Sequence, residues 1–238
     1  MKCIILAAGE GTRMLPLTLE TPKPMLKVLD KPILEHIIND LPDEIDEVIM
    51  VVGYLSNKIM DHFGDKFGRV RISYVFQKEK KGTYNALSLC KDFIKDDEKF
   101  LMLYADDLQG KENLEKCIRS ETCSLLVFHA QDPTKFGVVE IGADGYIKGI
   151  EEKPQNPKSN LVSTGVPMLD KKIFNYPARQ HSNGEYYLTD SIDQMIKDGH
   201  SFRAIQSNFW LSIGYPGDIA LAEEVLRQRA QFMKLLEL

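Results

Sequence analysis

The sequence is poor in the features that mark redox, metal and membrane proteins. Its four cysteines, Cys3, Cys90, Cys117 and Cys123, form no C-x-x-C pair, and Cys3 and Cys90 fall within apolar runs. They read as reduced, structural thiols, and a cytoplasmic setting is expected. The five histidines, His36, His62, His129, His181 and His200, are scattered, which excludes zinc chemistry of the H-E-x-x-H kind. No apolar run approaches the roughly 20 residues of a membrane span. The amino terminus reaches a polar Gly-Thr-Arg segment too soon for a signal-peptide core. Positive charge is not in excess either: the net charge of -5 disfavours nucleic acid or anionic membrane as a partner, while leaving room for a small cationic pocket. Internal repeats, low-complexity tracts and linkers are absent, so residues 1–238 are expected to form one domain of two lobes.

What is present is an ordinary globular balance, 43% hydrophobic and 27% charged over 238 residues, enough for a full-sized core. Short apolar runs at Cys3 to Leu6, Val48 to Val52, Val70 to Phe76, Phe100 to Tyr104 and Ser124 to Phe128 read as buried strands. Between them, helical patterns cover Ile33 to Asp40, Ser56 to Phe63, Thr83 to Ile94 and Glu112 to Arg119. This alternation predicts a parallel sheet with ligands at the strands' carboxyl ends. After about residue 130 the rhythm changes to extended pieces at Gly137 to Ile141, Ile147 to Glu151 and Leu161 to Leu169, which predicts a mixed, partly antiparallel half. A last amphipathic helix from Pro216 to Leu238 carries Ile219, Ala222, Leu226, Phe232, Met233 and Leu236 on one face, for packing within the subunit or across a homo-oligomer.

The strongest chemical signal follows the first strand, where Ala7-Ala8-Gly9-Glu10-Gly11-Thr12-Arg13-Met14 forms a glycine-containing turn of the kind that wraps phosphates. It is no Walker loop, since no Lys-Ser or Lys-Thr follows, and Met14 stands where a dinucleotide fingerprint needs its third glycine. Arg13 adds a fixed cation with a fork matched to phosphate oxygens. Downstream, Pro22 and Pro24 clamp the backbone around Lys23, a rigidity that a merely solvated lysine does not need. Asp106 follows the strand ending at Tyr104, a position suited to holding magnesium. Asp107 next to it is assigned no role.

Taken in order, Leu-Ala-Ala-Gly-x-Gly-Thr-Arg, Pro16-Leu17-Thr18 and Pro22-Lys23-Pro24-Met25, followed by Gly82-Thr83, Asp106, Glu152-Lys153-Pro154, Thr164-Gly165, Glu185 to Asp190 and Trp210 to Pro216, resemble the sugar-1-phosphate nucleotidyltransferases. The pattern is similar to that of glucose-1-phosphate thymidylyl- and uridylyltransferases. The resemblance implies a Rossmann-like α/β/α sandwich with a mixed, mostly parallel sheet. It implies a nucleotide-binding lobe to about residue 130, then a sugar-binding lobe with the carboxyl-terminal helix, and no added β-helix domain. The reaction would join a nucleoside triphosphate, UTP or dTTP favoured, to a sugar 1-phosphate and release pyrophosphate, with magnesium as cofactor.

By the same resemblance, Ala8, Gly9, Gly11, Thr12 and Arg13 would hold the triphosphate, Lys23 the transferring phosphoryl and Asp106 the metal. Gln77, Gly82 and Thr83 would select the base, because an amide offers a donor and an acceptor together. Gly137, Glu152, Lys153 and Thr164 would hold the sugar phosphate. Two departures stand out. Ala105 replaces a usual glycine, and Ser212 replaces the usual second metal-binding aspartate, a neutral hydroxyl being a poorer magnesium ligand. That leaves two alternatives: a metal held by Asp106, substrate phosphates and water alone, or one to which Asp218 contributes a carboxylate from the next turn. Ser212 also motivates a competing reading, a nucleotide-sugar-binding regulator without turnover; a metal on Asp106-Asp107 motivates another, a glycosyltransferase, which leaves Arg13 and Lys23 unexplained.

Overall fold

The computed structural model describes residues 1–236, with the side chains of residues 233, 234 and 236 outside the description. The first half contains strands β1 (Lys2–Ala7), β2 (Lys27–Val28), β3 (Lys31–Pro32), β4 (Glu47–Val52), β5 (Lys66–Phe67), β6 (Val70–Phe76), β7 (Lys99–Tyr104), β8 (Asp107–Leu108) and β9 (Cys123–His129). Helices α1 (Ile33–Asn39), α2 (Ser56–Phe63), α3 (Gly82–Ser88) and α4 (Lys111–Ile118) alternate with them. The second half adds β10 (Gly137–Ile141), β11 (Ile147–Glu152), β12 (Leu161–Asp170), α5 (Leu188–Lys197), β13 (Phe202–Gln206), β14 (Leu211–Ser212) and α6 (Pro216–Leu236).

One ten-stranded sheet organises both halves, in the order β11-β10-β12-β7-β1-β4-β6-β5, with β9 paired to β12 and β13 paired to β9. Strands β7, β1, β4 and β6 run parallel, as the βαβ alternation predicts. The expected parallel set stops there. The run at 124–128 becomes β9, but β12 lies between it and β7 and pairs antiparallel with both. Against β9 the register of β12 shifts between Ser163 and Pro167, a bulge-type irregularity, while β12 also pairs with β10 at Val162 and with β7 from Met168.

The sheet buries both faces, so its strands are continuously apolar rather than alternating. The period of two sorts each strand between two cores. Cys3, Ile5 and Ala7 of β1, Met50 of β4 and Leu103 of β7 join α1, α2 and α4 on one face. Ile4, Ile49, Val51, Phe100 and Met102 join α3 and α5 on the other. Each fully buried branched side chain contributes about 1.5–3 kcal/mol of burial free energy.

Two helices differ from expectation. The predicted Thr83 to Ile94 helix ends at Ser88, and a separate turn at Lys91–Phe93 follows Cys90, whose φ of -94° and ψ of 2° leave the helical path. The break lets Cys90 and Ile94 both bury beneath the sheet. In α6, Ala222 is buried and Ile219 and Leu226 pack on the core, whereas Phe232 is exposed. The side chains of Met233 and Leu236, and residue 238, lie outside the described residues.

All four cysteines are free and buried. Burial pushes the Cys90 and Cys117 thiols up to about 12 and Cys123 to about 11, which makes them poor nucleophiles. The histidines are engaged singly: His36 with the Val28 carbonyl, His181 with Asp190, and His200 with the Tyr176 hydroxyl. Among the described residues no group of three or more His, Cys, Asp or Glu side chains could hold a metal, and no helix is long and apolar enough to cross a membrane.

Candidate active site

The carboxyl ends of β1, β6 and β7, three of the four parallel strands, deliver Ala8, Gln77 and Asp106 to one cleft. A cavity of about 400 Å³ there is lined by Ala8, Gly9, Gly11, Thr12, Arg13, Lys23, Gln77, Gly82, Thr83 and Asp106. Every residue predicted to bind nucleotide therefore opens onto one space, although they span about a hundred positions of sequence.

The loop after β1 owes its shape to Gly11, whose φ of 64° and ψ of 40° place it in the left-handed region, where glycine has no Cβ penalty. A Cβ there would stand 2.8 Å from Lys23 Cβ, so the same glycine makes room for the lysine. The Gly11 carbonyl accepts from the Met14 amide at 2.8 Å and the Thr18 hydroxyl at 2.9 Å. Arg13 is exposed, with its guanidinium 5.3 Å from the Tyr215 ring centroid. A Glu10–Lys80 ion pair bridges the loop to the segment after β6.

Lys23 is 7% exposed, held by the Pro22–Met25 turn in which Met25 N donates to Pro22 O at 2.8 Å. Its Nζ donates to Asp106 Oδ2 at 2.6 Å. Of the three residues expected to be catalytic, Arg13, Lys23 and Asp106, the last two are thus in contact, 83 positions apart in sequence. Ala105, the first departure, is 3% exposed and its amide donates to Leu6 O at 3.2 Å, so its methyl joins the core and leaves the loop undisturbed.

Gln77 is oriented from both sides of its nitrogen. The amide donates to Gly82 O at 3.3 Å and to Asn85 Oδ1 at 3.0 Å. A backbone carbonyl can only accept, so both amide hydrogens are committed and the side-chain oxygen is left as the open acceptor. Thr83 is drawn into the frame: its hydroxyl accepts from the Leu188 amide at the start of α5, at 2.9 Å.

The residues assigned to the sugar phosphate are more dispersed. Glu152 lies on a second groove of about 940 Å³ beside α5, where it accepts from the Thr189 hydroxyl at 2.9 Å. Gly137 pairs with Glu152 across the β10–β11 ladder, and a Cβ on it would press within 3.0 Å of Thr189. Lys153, at a φ of 44°, places Nζ 3.3 Å from Glu152 and 4.8 Å from the Tyr187 ring centroid. Thr164 is 1% exposed with an unpartnered hydroxyl, so it lies within the body of the sheet and lines neither space.

Ser212 is exposed and sits on β14, opposite Asp107 of β8. Asp218 does not offer its carboxylate to the cleft: Oδ2 accepts from the Gly214 and Tyr215 amides, both at 2.8 Å. It closes the first turn of α6, where a carboxylate satisfies free N–H groups.

Three contributors carry no role in the sequence reading, although Tyr187 lies inside the Glu185 to Asp190 motif. Asn85 positions Gln77. Tyr187 flanks Lys153. Tyr104 stands between the two spaces, near Thr83 on one side and Glu152 on the other, and burial pushes its phenol upward. Its ring is seated on Gly165, where a Cβ would fall 2.3 Å from a ring carbon. The Thr164-Gly165 motif holds the clue, since it marks a site where something approaches the backbone closely.

Comparison with known proteins agrees with this arrangement. A bifunctional GlmU protein from Methanocaldococcus jannaschii is 36% identical over 229 residues, covering 95% of this chain and 54% of the relative. The chain thus spans about half the length of that relative. The UTP–glucose-1-phosphate uridylyltransferase AglF of Haloferax volcanii is 35% identical, with 96% and 97% covered. A putative glucose-1-phosphate thymidylyltransferase from Bacillus anthracis superposes with a TM-score of 0.84 at 28% identity, covering 95% of each chain. The nucleotidyl transferase family model matches residues 2–229, a span that includes the phosphate loop, the Lys23–Asp106 pair and Glu152. By its loop, its sheet and that match, the chain belongs to the nucleotidyl transferase family.

Proposed function

We propose that the protein transfers the nucleotidyl group of UTP or dTTP to a sugar 1-phosphate, yielding a nucleotide sugar and pyrophosphate. The observation that carries the reading is the convergence of the glycine loop, the Lys23–Asp106 pair and Gln77 on one cavity. Attack of the sugar phosphate oxygen on the α-phosphorus needs alignment and charge neutralisation more than proton abstraction. The loop amides and Arg13 neutralise the departing pyrophosphate. Lys23 stabilises the α-phosphoryl group as charge builds on it. Glu152, held by Thr189, accepts from sugar hydroxyls, and Lys153 pairs with the sugar's phosphate.

The carboxylate of Asp106, beside the phosphate loop, is the kind of hard oxygen donor magnesium takes. Asp106 would hold the ion, which would supply charge neutralisation between the phosphates. Gln77, with both amide hydrogens committed, accepts the ring N–H of uracil or thymine, and meets cytosine's ring nitrogen lone pair with a second acceptor.

The test is pyrophosphate release with magnesium, for each common triphosphate against a panel of sugar 1-phosphates. Sugar-dependent release with UTP or dTTP is expected, and none with any pair from folded protein would overturn the reading. The preference rests on Asn85 as well. Asn85→Leu frees one Gln77 hydrogen and lowers the ratio of kcat/KM for UTP over CTP by about tenfold, the worth of one hydrogen bond. Asn85→Asp keeps the acceptor and preserves the ratio.

A further inference from the structure

Strands β8 and β14 form a separate two-rung ribbon in which Asp107 faces Ser212 and Leu108 faces Leu211. The ribbon continues the cleft directly, because Ile213 N donates to Asp106 O at 3.1 Å. Residues opposite each other on an antiparallel rung carry Cβ atoms about 5 Å apart on one face, so side chains at 107 and 212 address the same space.

Asp107 is 8% exposed, yet its Oδ1 has no hydrogen-bond partner among the described residues. Buried carboxylate oxygens are nearly always satisfied, and an exception calls for an explanation such as an ion. The groups acting on this carboxyl are Asp106, Lys23, Ser212 and Trp210. A divalent cation held between the two adjacent carboxylates satisfies the orphaned Asp107 oxygen and offsets their like charges. Asp106 commits Oδ2 to Lys23, and its other oxygen enters no hydrogen bond among the described residues. Two carboxylates form a hard, all-oxygen donor pair, which suits Mg²⁺ or Mn²⁺ and needs completion only by water and phosphate.

We propose that Asp107 is the second carboxylate of a divalent-cation site shared with Asp106, supplying across the rung the charge that Ser212 lacks. The proposal rests on the nucleotidyl-transfer reading but is tested apart from turnover. Mn²⁺ is titrated into the protein with α,β-methylene-UTP, and free Mn²⁺ is read by electron paramagnetic resonance.

Asp107→Asn and Asp107→Ser each weaken Mn²⁺ binding by about 10- to 100-fold, the scale of losing a supporting group at a metal site. Ser212→Ala leaves it within twofold, and Asp107→Asn combined with Ser212→Asp restores it. Near-ultraviolet circular dichroism checks that each variant is folded. Mn²⁺ affinity unchanged in the folded Asp107 variants overturns the proposal, as does a wild type that binds no Mn²⁺ with the analogue present. Unchanged affinity together with sugar-dependent pyrophosphate release removes Asp107 and leaves the reaction standing. Intact, Asp107-dependent Mn²⁺ binding without pyrophosphate release does the reverse.

Discussion

Lys23→Ala lowers kcat by about 10²- to 10³-fold, the usual loss when one preorganised group that stabilises transition-state charge is removed. The size follows from where the lysine is held. Its stem lies under Gly11 and its ammonium group reaches Asp106 at 2.6 Å, so its charge is placed before substrate arrives and reorganises little during reaction. Asp106 is one-third exposed at its side chain, so water compensates much of its lost partner and the melting temperature changes little. Single-turnover kinetics separates the two effects: chemistry slows, while triphosphate affinity falls far less. Lys23→Arg does not rescue, because the guanidinium fork is broader than the slot beneath Gly11. An unchanged turnover number in Lys23→Ala would remove the lysine from the mechanism.

Gly82→Ala is the second large effect, and it acts on stability and binding together. Gly82 has a φ of 86°, and an added Cβ would sit 2.6 Å from Tyr186 O and 2.7 Å from Tyr186 N. Those are backbone atoms fixed by two further bonds, Tyr84 N to Tyr186 O at 3.0 Å and Tyr186 N to Lys81 O at 2.9 Å, and they cannot yield as a flexible side chain would. Left-handed strain and overpacking together cost about 2–4 kcal/mol, which thermal melting reads as a drop of several degrees. Relief of the clash pushes the 180–187 segment away from α3 and loosens Gln77, so the KM for the triphosphate rises. A variant that melts with the wild type and keeps its KM would show that this contact is dispensable.

These two residues also show where the sequence is legible. Lys23 stands out because Pro22 and Pro24 restrict the backbone beside it, a local constraint that survives as a pattern of letters. Strand Val70–Phe76 and helix Ser56–Phe63 keep their predicted bounds because periodicity and burial coincide there. The place of β12 is not legible: a buried strand has the same composition whether its neighbours run with it or against it, and its paired residues lie 24 to 71 positions upstream. Asn85 and Thr189 were overlooked for a related reason. Each acts through another side chain, Gln77 or Glu152, and nothing in a polar residue's own surroundings announces a partner brought from elsewhere. Asp218 misleads in the opposite sense, since a free-looking carboxylate proves to be committed to two backbone amides.

Strand β12 has a mechanical consequence. Because it pairs with β9 along most of its length, with β10 near its amino end and with β7 near its carboxyl end, the two halves of the chain are welded through a continuous sheet. Rotation of one lobe against the other would tear ladder bonds, so the hinge closure available to two-domain enzymes is denied to this fold. The positions of Ala8, Gln77 and Asp106 are therefore set by one rigid floor, and the Glu10–Lys80 ion pair and the Tyr186 bonds to Lys81 and Tyr84 tie the rim of the cleft to it.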